Sequence, residues 1–507
     1  MTQHADAANL HAGLIPPFVL SLDVGTSSTR TLLFDAAGTV VPKVMSQRLY
    51  QLNTSHDGEA SVDADALLAV VVQTIDEALT LAGPLAPQIG AVAMDTFWHS
   101  LMGVDAANRP VTPLITWEDT RPSQAALELR SQLDEKAVHD RTGARIHASY
   151  WPAKLRWLAA NQPEVFARAA QWISFGEYVH RKLLRRSVCS LSMASGTGML
   201  VTRERTWDSA LMEVLRMRPE QLPELGDVDD SIKGLTPEYA TAWPALRAVP
   251  WFPAIGDGAS ACIGSGCATS ENWSLTVGTS SAIRVVVDPK HVVPPLGLWL
   301  YLVDEKRAVI GGALSEGGNL LTWLNTVLKL PPLQEAEQLA AELEPDSHGL
   351  TLLPFISGER SLGWHADARM TISGLSIHTT PADLLRAGME ALAYQLSTVY
   401  QQLRAALNVE DDIIPRLIGS GGALLGSATL QQVIADTLGA ALYLSRNQEA
   451  SARGAALLAL ESMGLLPDVA QAPPDLANPV QANERHGEIY RRAAERQRKL
   501  YRVLWGE

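Results

Sequence analysis

The chain has 507 residues, of which 47% are hydrophobic and 19% charged, and its formal net charge is -14. This length exceeds one ordinary hydrophobic core, so two large domains are expected. The acidic balance argues against a nucleic-acid-binding protein, which would need a basic surface. The three cysteines form no CxxC pair and no even set, which is typical of reduced thiols rather than of a disulfide framework.

The N-terminal segment and the apolar runs predict a cytoplasmic protein without a membrane partner. Residues 1–14 are rich in Ala and His and lack the basic start and apolar run of a signal peptide. No uninterrupted apolar stretch in the sequence is long enough to span a bilayer. Neither nucleic acid nor membrane is therefore expected among the partners. A monomer and a homodimer both stay open.

The pentapeptide VGTSS occurs twice, at residues 24–28 and 277–281, an offset of 253 residues. In each copy an apolar run leads into Gly-Thr-Ser-Ser and an aliphatic run follows, which predicts a β-hairpin with a polar turn. The hydroxyl and N–H groups of such a turn can hold phosphate oxygens, although one copy alone would fit an ordinary Ser/Thr turn equally well. Two copies half a chain apart favour two similar domains that present phosphate-holding hairpins to a shared cleft.

The two copies differ at the residue before VGTSS, which is Asp23 in the first and Thr276 in the second. A carboxylate beside a phosphate-holding turn repels a nucleotide unless a cation lies between them. Mg²⁺ favours carboxylate, water and phosphate oxygens. The first hairpin is therefore predicted to be the metal side and the second a phosphate clamp.

Glycine-rich turns indicate the nucleotide side of this cleft. One is Gly311-Gly312, before an apolar helix that begins near residues 317–318, and the other is residues 418–422. Ser427 is predicted to cap the helix after the second turn and Gly439 to end it. Bare backbone at such turns lets an adenine or a ribose approach closely.

Asp257 lies between two glycines and opens a stretch of small residues that resembles a closely packed helix. A carboxylate at a helix N-terminus is stabilised as the anion, which keeps it ready to accept a proton from a hydroxyl. An isolated Asp-Gly would be a simple N-cap. Its position just before the second hairpin favours a catalytic base.

Aromatic and polar side chains follow the apolar run at residues 89–94, where a strand is predicted to end. Trp98 offers a flat apolar face to the C–H groups of a sugar, and His99 and Ser100 offer hydrogen bonds to hydroxyls. A histidine that merely caps a core strand is the alternative. These residues are predicted to contact a small polar substrate.

Nine segments of the sequence, taken in order, resemble the FGGY family of carbohydrate kinases over residues 18–465. They read DVGTSSTR, FWHS, TWEDTR, GDGA, VGTSS, GGNLLTWL, SGERSLGW, SGGA and EASARGAALLA. The resemblance implies an α/β fold of two ribonuclease-H-like domains, of the actin-like ATPase superfamily, around a central cleft. It also implies MgATP as donor and a sugar, polyol or sugar acid as acceptor. The predicted division is residues 17–262 and 263–470 for the two domains, with a charged C-terminal helix in 471–507.

The resemblance also implies roles for residues at matching positions of this chain. Asp257 falls on the catalytic base, which also contacts substrate, Asp23 faces Mg²⁺, and Trp98 and His99 contact the substrate. The implied phosphate and ATP contacts are Thr26, Ser27, Ser28, Arg30, Gly278, Thr279, Gly318, Gly421, Gly422 and Gly426.

The gluconokinase branch of the family gives the strongest resemblance, through TPLITWEDTR, HASYWPAKLRWL and VIGGALSEGGNLLTWL. It implies phosphorylation of gluconate to 6-phosphogluconate, and a gluconate carboxylate needs a cation or several donors. The candidates for that cation are Arg121, Arg145, His147, Lys154 and Arg284.

The segment Trp98-His99-Ser100 departs from the Met-His-Ser of typical gluconokinases, so xylulose, another ketose or a polyol stays open as acceptor. A non-enzymatic regulator that binds ATP or sugar is the weaker alternative, because both Asp23 and Asp257 are present.

Overall fold

The structure is a computed structural model that describes residues 13–506. The prediction of no signal peptide concerns residues 1–14, which lie almost entirely outside this range. The last residue of the predicted C-terminal segment, residue 507, also lies outside it.

The first sheet has five strands and is built around the first VGTSS hairpin. The hairpin strands are antiparallel, a third antiparallel strand extends one side, and two parallel strands extend the other. In spatial order the strands are Ile255–Gly256, Ile89–Thr96, Phe18–Val24, Ser28–Phe34 and Val40–Leu49. The strand Phe18–Val24 is buried along its whole length, as expected for an apolar run with helices on both faces.

The second sheet repeats this arrangement around the second hairpin and adds one edge strand. In spatial order its strands are Trp299–Leu302, Ala308–Leu314, Ser281–Val287, Asn272–Val277, Arg416–Ser420 and Leu442–Leu444. A hairpin extended by an antiparallel strand on one side and by parallel strands on the other is the ribonuclease-H-like order, and it occurs twice. The predicted fold class is therefore confirmed.

The remaining elements cover these sheets and form the insertions. The helices are Ala64–Ala82, Ser123–Gln132, Glu135–Thr142, Trp151–Asn161, Pro163–Arg168, Phe175–Leu184, Leu191–Ser195, Ser209–Val214, Pro237–Ala242, Asp257–Gly264, Gly318–Val327, Leu333–Ala341, Pro381–Ala406, Gly422–Leu425, Ala428–Leu438, Ala450–Ser462 and Glu484–Trp505. Short 3₁₀ helices are Gly83–Gln88, Pro219–Gln221, Pro244–Leu246 and Val469–Gln471. The minor strands are Asn53–Thr54, Ala60–Val62, Met102–Val104, Leu114–Ile115, Gln171–Ile173, Cys189–Ser190, Leu200–Val201, Thr206–Trp207, Leu225–Gly226, Thr351–Leu353 and Thr371–Ser373.

The helical insertion between the two parallel strands of the first sheet has a core of its own, centred on Trp151 and Trp172. Its inner edge contacts the second domain: the Oγ of Ser195 accepts the backbone N–H of Leu302 at 2.8 Å, and the hydroxyls of Tyr150 and Tyr301 share a hydrogen bond. The insertion therefore forms one wall of the cleft between the sheets.

Helix Ala450–Ser462 packs against helix Asp257–Gly264 and also on the first sheet, although it lies in the predicted second domain. The Oγ of Ser21 donates to the carbonyl of Ala452 at 2.7 Å. At the crossing of the two helices, a Cβ on Gly454 would lie 1.8 Å from the carbonyl oxygen of Ser260. Glycine is therefore required here for close helix packing rather than for an unusual backbone angle.

Gly454→Ala is expected to lower the apparent melting temperature by several degrees, because overpacking a core typically costs about 1–3 kcal/mol. Differential scanning fluorimetry of the purified protein would measure this shift. Ser462→Ala in the same helix is the control, since its hydroxyl bonds only the carbonyl of Leu458. Equal melting temperatures for Gly454→Ala and wild type would contradict the packing argument.

Among the described residues, the segment Ala64–Gln88 is long and apolar enough to cross a membrane by length and composition alone, although polar residues interrupt it. Its apolar face packs on the first sheet. Its polar side chains have protein partners as well, since the Oγ1 of Thr74 accepts from Thr31 at 2.8 Å and Asp76 accepts the Nε1–H of Trp243 at 2.6 Å. One such helix is weak evidence for a membrane span, and these are the contacts of a core helix.

Local predictions around the second sheet are confirmed in part. Ser427 caps helix Ala428–Leu438 through the N–H of Leu430, and Gly439 ends it in the left-handed region. The prediction of a turn at Gly311-Gly312 is wrong, because both lie within strand Ala308–Leu314. There the missing side chains make room for Trp299 and Val399.

Candidate active site

The tips of the two hairpins face one another across a cavity of about 1030 Å³. Thr26 and Ser27 line it from the first hairpin, and Thr279 and Ser280 from the second. The Nε1–H of Trp117 donates to the Oγ1 of Thr26 at 3.0 Å and holds the first tip. The structure thus brings together the two hydroxyl-rich turns that the repeat predicted.

A smaller cavity of about 500 Å³ adjoins the hairpins on the side of the glycine-rich turn. Asp23, Asp257, Gly421 and Gly422 all line it. Gly421 has φ +96°, and a Cβ there would lie 2.4 Å from the carbonyl oxygen of Val277, so this turn requires glycine. Gly422 has open space where its side chain would be.

The predicted nucleotide glycines are close together in space. The N–H of Gly318 donates to the carbonyl of Gly278 at 2.7 Å, which places the start of helix Gly318–Val327 on the second hairpin. A Cβ on Gly421 would lie 2.9 Å from the nitrogen of Gly278. Gly426 ends the one-turn helix that begins at Gly422, so it lies further along the same turn.

Asp23 and Asp257 both lie at this cleft, and burial raises the pKa of each. The pKa of Asp23 rises to about 6, against the opposing effect of the Arg30 guanidinium 3.5 Å away. The pKa of Asp257 is raised as well, because burial outweighs the opposing effect of the nearby Arg284 charge. Arg30 lies on a strand and pairs with Glu449 at 3.0 Å as well, so its charge is already engaged. Ser28 begins the same strand.

Asp257 is the first residue of its helix, and its Oδ1 accepts the N–H of Gly258 at 2.7 Å. Trp98 lies directly beneath this turn: a Cβ on Gly256 would be 1.8 Å from Cε2 of its indole ring. The ring is 5% exposed and its Nε1–H donates to the carbonyl of Ser192 at 3.0 Å. Trp98 is therefore part of the floor on which Asp257 is held.

His99 is 6% exposed and adopts φ +69°. Its Nδ1–H donates to the carbonyl of Gly196, so its Nε2 is left as an acceptor. Burial lowers the pKa of His99 well below its ordinary value, which keeps the ring neutral. The backbone carbonyl of His99 accepts a hydrogen bond from the ammonium of Lys154 at 2.6 Å, and this contact holds the backbone at His99 in place.

Two family models match the chain. The N-terminal domain of the FGGY family of carbohydrate kinases matches residues 18–264, and the C-terminal domain matches residues 273–463. The chain belongs to the FGGY family of carbohydrate kinases. It is therefore a sugar phosphotransferase, and the predictions of family and of enzyme class are confirmed.

Relatives of this carbohydrate kinase act on more than one acceptor. Gluconokinase from Bacillus subtilis (strain 168) is 27% identical over 458 residues, which is 88% of each chain. Among solved structures, the ligand-bound xylulose kinase from Lactobacillus acidophilus has a TM-score of 0.89 at 25% identity, covering 96% of this chain and 98% of that one. The gluconate kinase from Lactobacillus acidophilus has a TM-score of 0.87 at 25% identity with the same coverage.

Four of the five basic residues named as carboxylate partners are already engaged in the kinase. Arg121 pairs with Asp119 at 2.5 Å, and Arg145 pairs with Glu135 at 2.6 Å. The ammonium of Lys154 donates to the carbonyl of His99, and burial lowers the pKa of Lys154 to about 7. The remaining engaged residue is His147, whose pKa is lowered by burial to about 3. Its Nδ1 accepts the N–H of Ser149 at 3.2 Å.

Arg284 and Arg360 differ from the other basic residues of the cleft in having no ion pair and no side-chain hydrogen bond within residues 13–506. The Nε of each is buried without a partner. Arg284 lines the smaller cavity beside Asp257. Arg360 lines the larger one, where its guanidinium lies 5.0 Å from the ring centre of Trp117. Sequence reasoning missed Arg360, although it lies within the SGERSLGW segment.

Glu316 lies beneath the second hairpin and is 2% exposed. Its carbonyl accepts the hydroxyl of Ser281 at 2.7 Å, and its carboxylate accepts the N–H of Ser357 at 3.1 Å. Burial raises the pKa of Glu316 from 4.5 to about 7. The folded protein therefore holds this proton more tightly than the unfolded chain does, and the free energy of unfolding decreases as pH rises from about 4.5 through about 7.

Glu316→Gln should remove this loss of stability, so the variant is expected to melt at a higher temperature than wild type at pH 8 and to lose that advantage at pH 5. Thermal melts at the two pH values measure the difference. Glu488→Gln, at an exposed position of the C-terminal helix, is the control. A Glu316→Gln protein less stable than wild type at pH 8 would refute the argument.

Proposed function

We propose that this kinase transfers the γ-phosphoryl group of MgATP to a hydroxyl of an anionic sugar acid, with gluconate as the substrate and 6-phosphogluconate as the product. The observation that carries the proposal is that the guanidinium groups of Arg284 and Arg360 form no ion pair within residues 13–506, Arg284 lining the smaller cavity with Asp257 and Arg360 lining the larger one. Both side chains are partly buried, and holding two partly buried positive charges without an anion to pair them is unfavourable. A donor with three phosphates and an acceptor with a carboxylate would supply the missing anions.

The two arginines suit different anions. Arg284 lowers the pKa of Asp257 more than Arg360 does and shares the smaller cavity with Asp23. That position fits the charge of the phosphoryl group in transfer. Arg360 lines the larger cavity with Trp117 and Glu118 and forms no ion pair with Glu118. That position fits the carboxylate at the far end of an acceptor whose hydroxyl lies at Asp257.

In this proposal Asp257 takes the proton of the attacking hydroxyl, and His99 accepts a hydrogen bond from the acceptor through Nε2. Thr26, Ser27 and Thr279 bind phosphate oxygens at the hairpin tips. The exposed backbone at Gly278, Gly318, Gly421, Gly422 and Gly426 receives the nucleotide. Ser28 and Arg30 support the first tip from its strand, and Trp98 supports Asp257 from below.

The donor set around Asp23 fits a divalent cation. Carboxylate oxygens are hard ligands of the kind that Mg²⁺ prefers, and the pKa of Asp23 is raised by the negative charge of Asp257 in addition to burial. Asp23 would hold the ion, which supplies neutralisation of the phosphate charge when it is bound. Asp23 also pairs with Arg30 at 3.5 Å, so the same carboxylate would help to fix the strand that supports the first hairpin tip.

In this proposal both domains contribute residues to binding and catalysis. Residues 17–262 supply the first hairpin, Asp257 and the acceptor wall, and residues 263–470 supply the second hairpin and the nucleotide turn. The described part of the C-terminal segment, residues 471–506, covers the second domain. Approach of the domains over both substrates would exclude water and limit hydrolysis of ATP. We place this activity in the cytoplasm, where ATP and free sugar acids are available.

A ketose such as xylulose is the second candidate acceptor. It is favoured by the likeness to the xylulose kinase from Lactobacillus acidophilus over 96% of this chain. It requires that Arg360 bind hydroxyls rather than a carboxylate.

ADP release measured by a coupled assay against gluconate, xylulose, ribulose, glycerol and erythritol tests the proposal. Turnover on gluconate with little on the neutral acceptors supports it. Turnover on xylulose or another neutral sugar, with none on gluconate, would reject the sugar acid and keep the kinase. The Asp257→Asn protein serves as the blank for contaminating kinases in every assay.

A further inference from the structure

Three aspartates lie close together where three adjacent strands of the first sheet end. Asp23 and Asp95 are direct partners across the parallel pair Phe18–Val24 and Ile89–Thr96. On the other side, Asp95 is the partner of Ile255. Asp257 comes directly after strand Ile255–Gly256 and begins the helix Asp257–Gly264. Burial raises the pKa of Asp95, and the charges of Asp23 and Asp257 are close enough to raise it further. Asp95 is therefore the middle carboxylate, between Asp23 and Asp257.

Asp95 has an unusual environment for a carboxylate. It is 0% exposed, and within residues 13–506 no N–H or hydroxyl group donates to either of its oxygens, whose polar neighbour is the carboxyl group of Asp23. The nearest guanidinium, that of Arg30, forms ion pairs with Asp23 and Glu449 and none with Asp95. A buried carboxylate normally accepts several hydrogen bonds or pairs with a cation, because burial without either is strongly unfavourable.

A cation between Asp95 and Asp23 would remove this deficit. It would neutralise two carboxylates that otherwise repel one another, and it would give the oxygens of Asp95 the positively charged partner that none of the described residues provides. Oxygen-only donors without sulfur or imidazole select a hard divalent ion such as Mg²⁺ or Mn²⁺.

We propose that Asp95 is a second carboxylate of the divalent-cation site and holds the ion together with Asp23, directly or through water. This inference rests on the proposed MgATP-dependent function and adds a residue to it. Asp257 then stays free to accept the proton, because the cation is retained by the two neighbouring strands. With Asp95 present, Asp23 and Asp95 hold the cation, and the neighbouring Asp257 accepts the proton.

Binding of Mn²⁺, followed through the electron paramagnetic resonance of the free ion, tests this without turnover. Asp95→Asn is expected to raise the Kd of the protein for Mn²⁺ in the presence of ATP by about tenfold or more. Mn²⁺ should raise the melting temperature of wild type and not that of the variant. Without metal, the variant should melt at or above the wild-type temperature, because the unfavourable interaction of Asp95 with Asp23 and Asp257 has been removed.

Glu177→Gln is the control, since Glu177 is a buried carboxylate of the same domain whose partner is Ser174, outside the cleft. Asp95→Ser serves as a second variant if Asp95→Asn does not fold. Equal Mn²⁺ affinity in wild type and either variant, or a lower metal-free melting temperature with an intact Mn²⁺ response, overturns the role of Asp95. A wild-type protein that binds no Mn²⁺ with ATP, or shows no ATP-dependent turnover, would instead reject the proposed MgATP function.

Discussion

Replacing Asp257 by Asn is expected to lower kcat about 10²–10⁴-fold, the usual contribution of a general base, with little change in ATP affinity. Asn preserves the size of the side chain and can still accept the N–H of Gly258. It cannot accept the proton of the attacking hydroxyl. Single-turnover measurement with saturating gluconate and ATP, alongside calorimetric titration with ATP, separates the loss of chemistry from a loss of binding.

Asp227→Asn is a matched control for this experiment. Burial raises the pKa of Asp227 to about 6, and its carboxylate accepts the N–H groups of Val228 and Glu305 away from the cleft. Its replacement should leave kcat near the wild-type value. A wild-type kcat for Asp257→Asn would mean that another group accepts the proton.

The same residue predicts the pH dependence of the reaction. Burial raises the pKa of Asp257 above that of an exposed aspartate, and Arg284 opposes the rise. Because the base acts as the anion, kcat/KM should fall as pH decreases through the raised pKa. Arg284→Gln removes the opposing charge, so the acidic limb of the profile should move to higher pH.

The parts of the fold that the sequence predicted are those encoded by local patterns. Two copies of VGTSS between apolar runs predicted two hairpins, and both hairpins form the centres of their sheets. Small residues after Asp257 predicted a closely packed helix, and a Cβ on Gly264 would in fact lie 1.8 Å from the carbonyl oxygen of Ala450. In each case the residues that decide the structure are neighbours along the chain.

Contacts between distant segments were not predictable in this way. Arg145 forms an ion pair with Glu135, which is ten residues away in sequence. Arg360, in contrast, forms no ion pair within the described chain. Nothing in the residues flanking Arg360 distinguishes it from Arg145. Likewise Asp95 is only the first polar residue after an apolar run in the sequence, and its register with Asp23 is what places it beside another carboxylate.

The position of the Trp98 ring depends on neighbouring glycines, which have no side chains to occupy the same space. The sequence predicted an aromatic face for a sugar. In the fold, three glycines, Gly196, Gly256 and Gly258, leave space that the indole ring fills. The ring therefore packs against the turn that carries Asp257, and the aromatic side chains that border the larger cavity include Trp117 and Tyr50.

Replacing Arg360 by Gln is expected to reduce kcat/KM for gluconate about 10–100-fold, because a hydrogen bond to a charged group contributes about 1.5–3 kcal/mol and 1.4 kcal/mol is tenfold. The loss should lie mainly in KM, since Arg360 is placed away from the reacting hydroxyl. Glutamine can still donate to a hydroxyl but carries no charge. The slow turnover of a neutral acceptor such as xylulose should therefore change much less than that of gluconate.

Arg145→Gln is the matched control, because Glu135 retains a second partner in Arg130, at 3.1 Å, and the stability of the wall should be preserved. Initial rates over a range of gluconate and xylulose concentrations give the selectivity ratio for each protein. A fall in that ratio for Arg360→Gln but not for Arg145→Gln would assign the acceptor carboxylate to Arg360. An equal loss on both acceptors would show that Arg360 supports the cleft without selecting charge, and the anionic acceptor would lose its main structural argument.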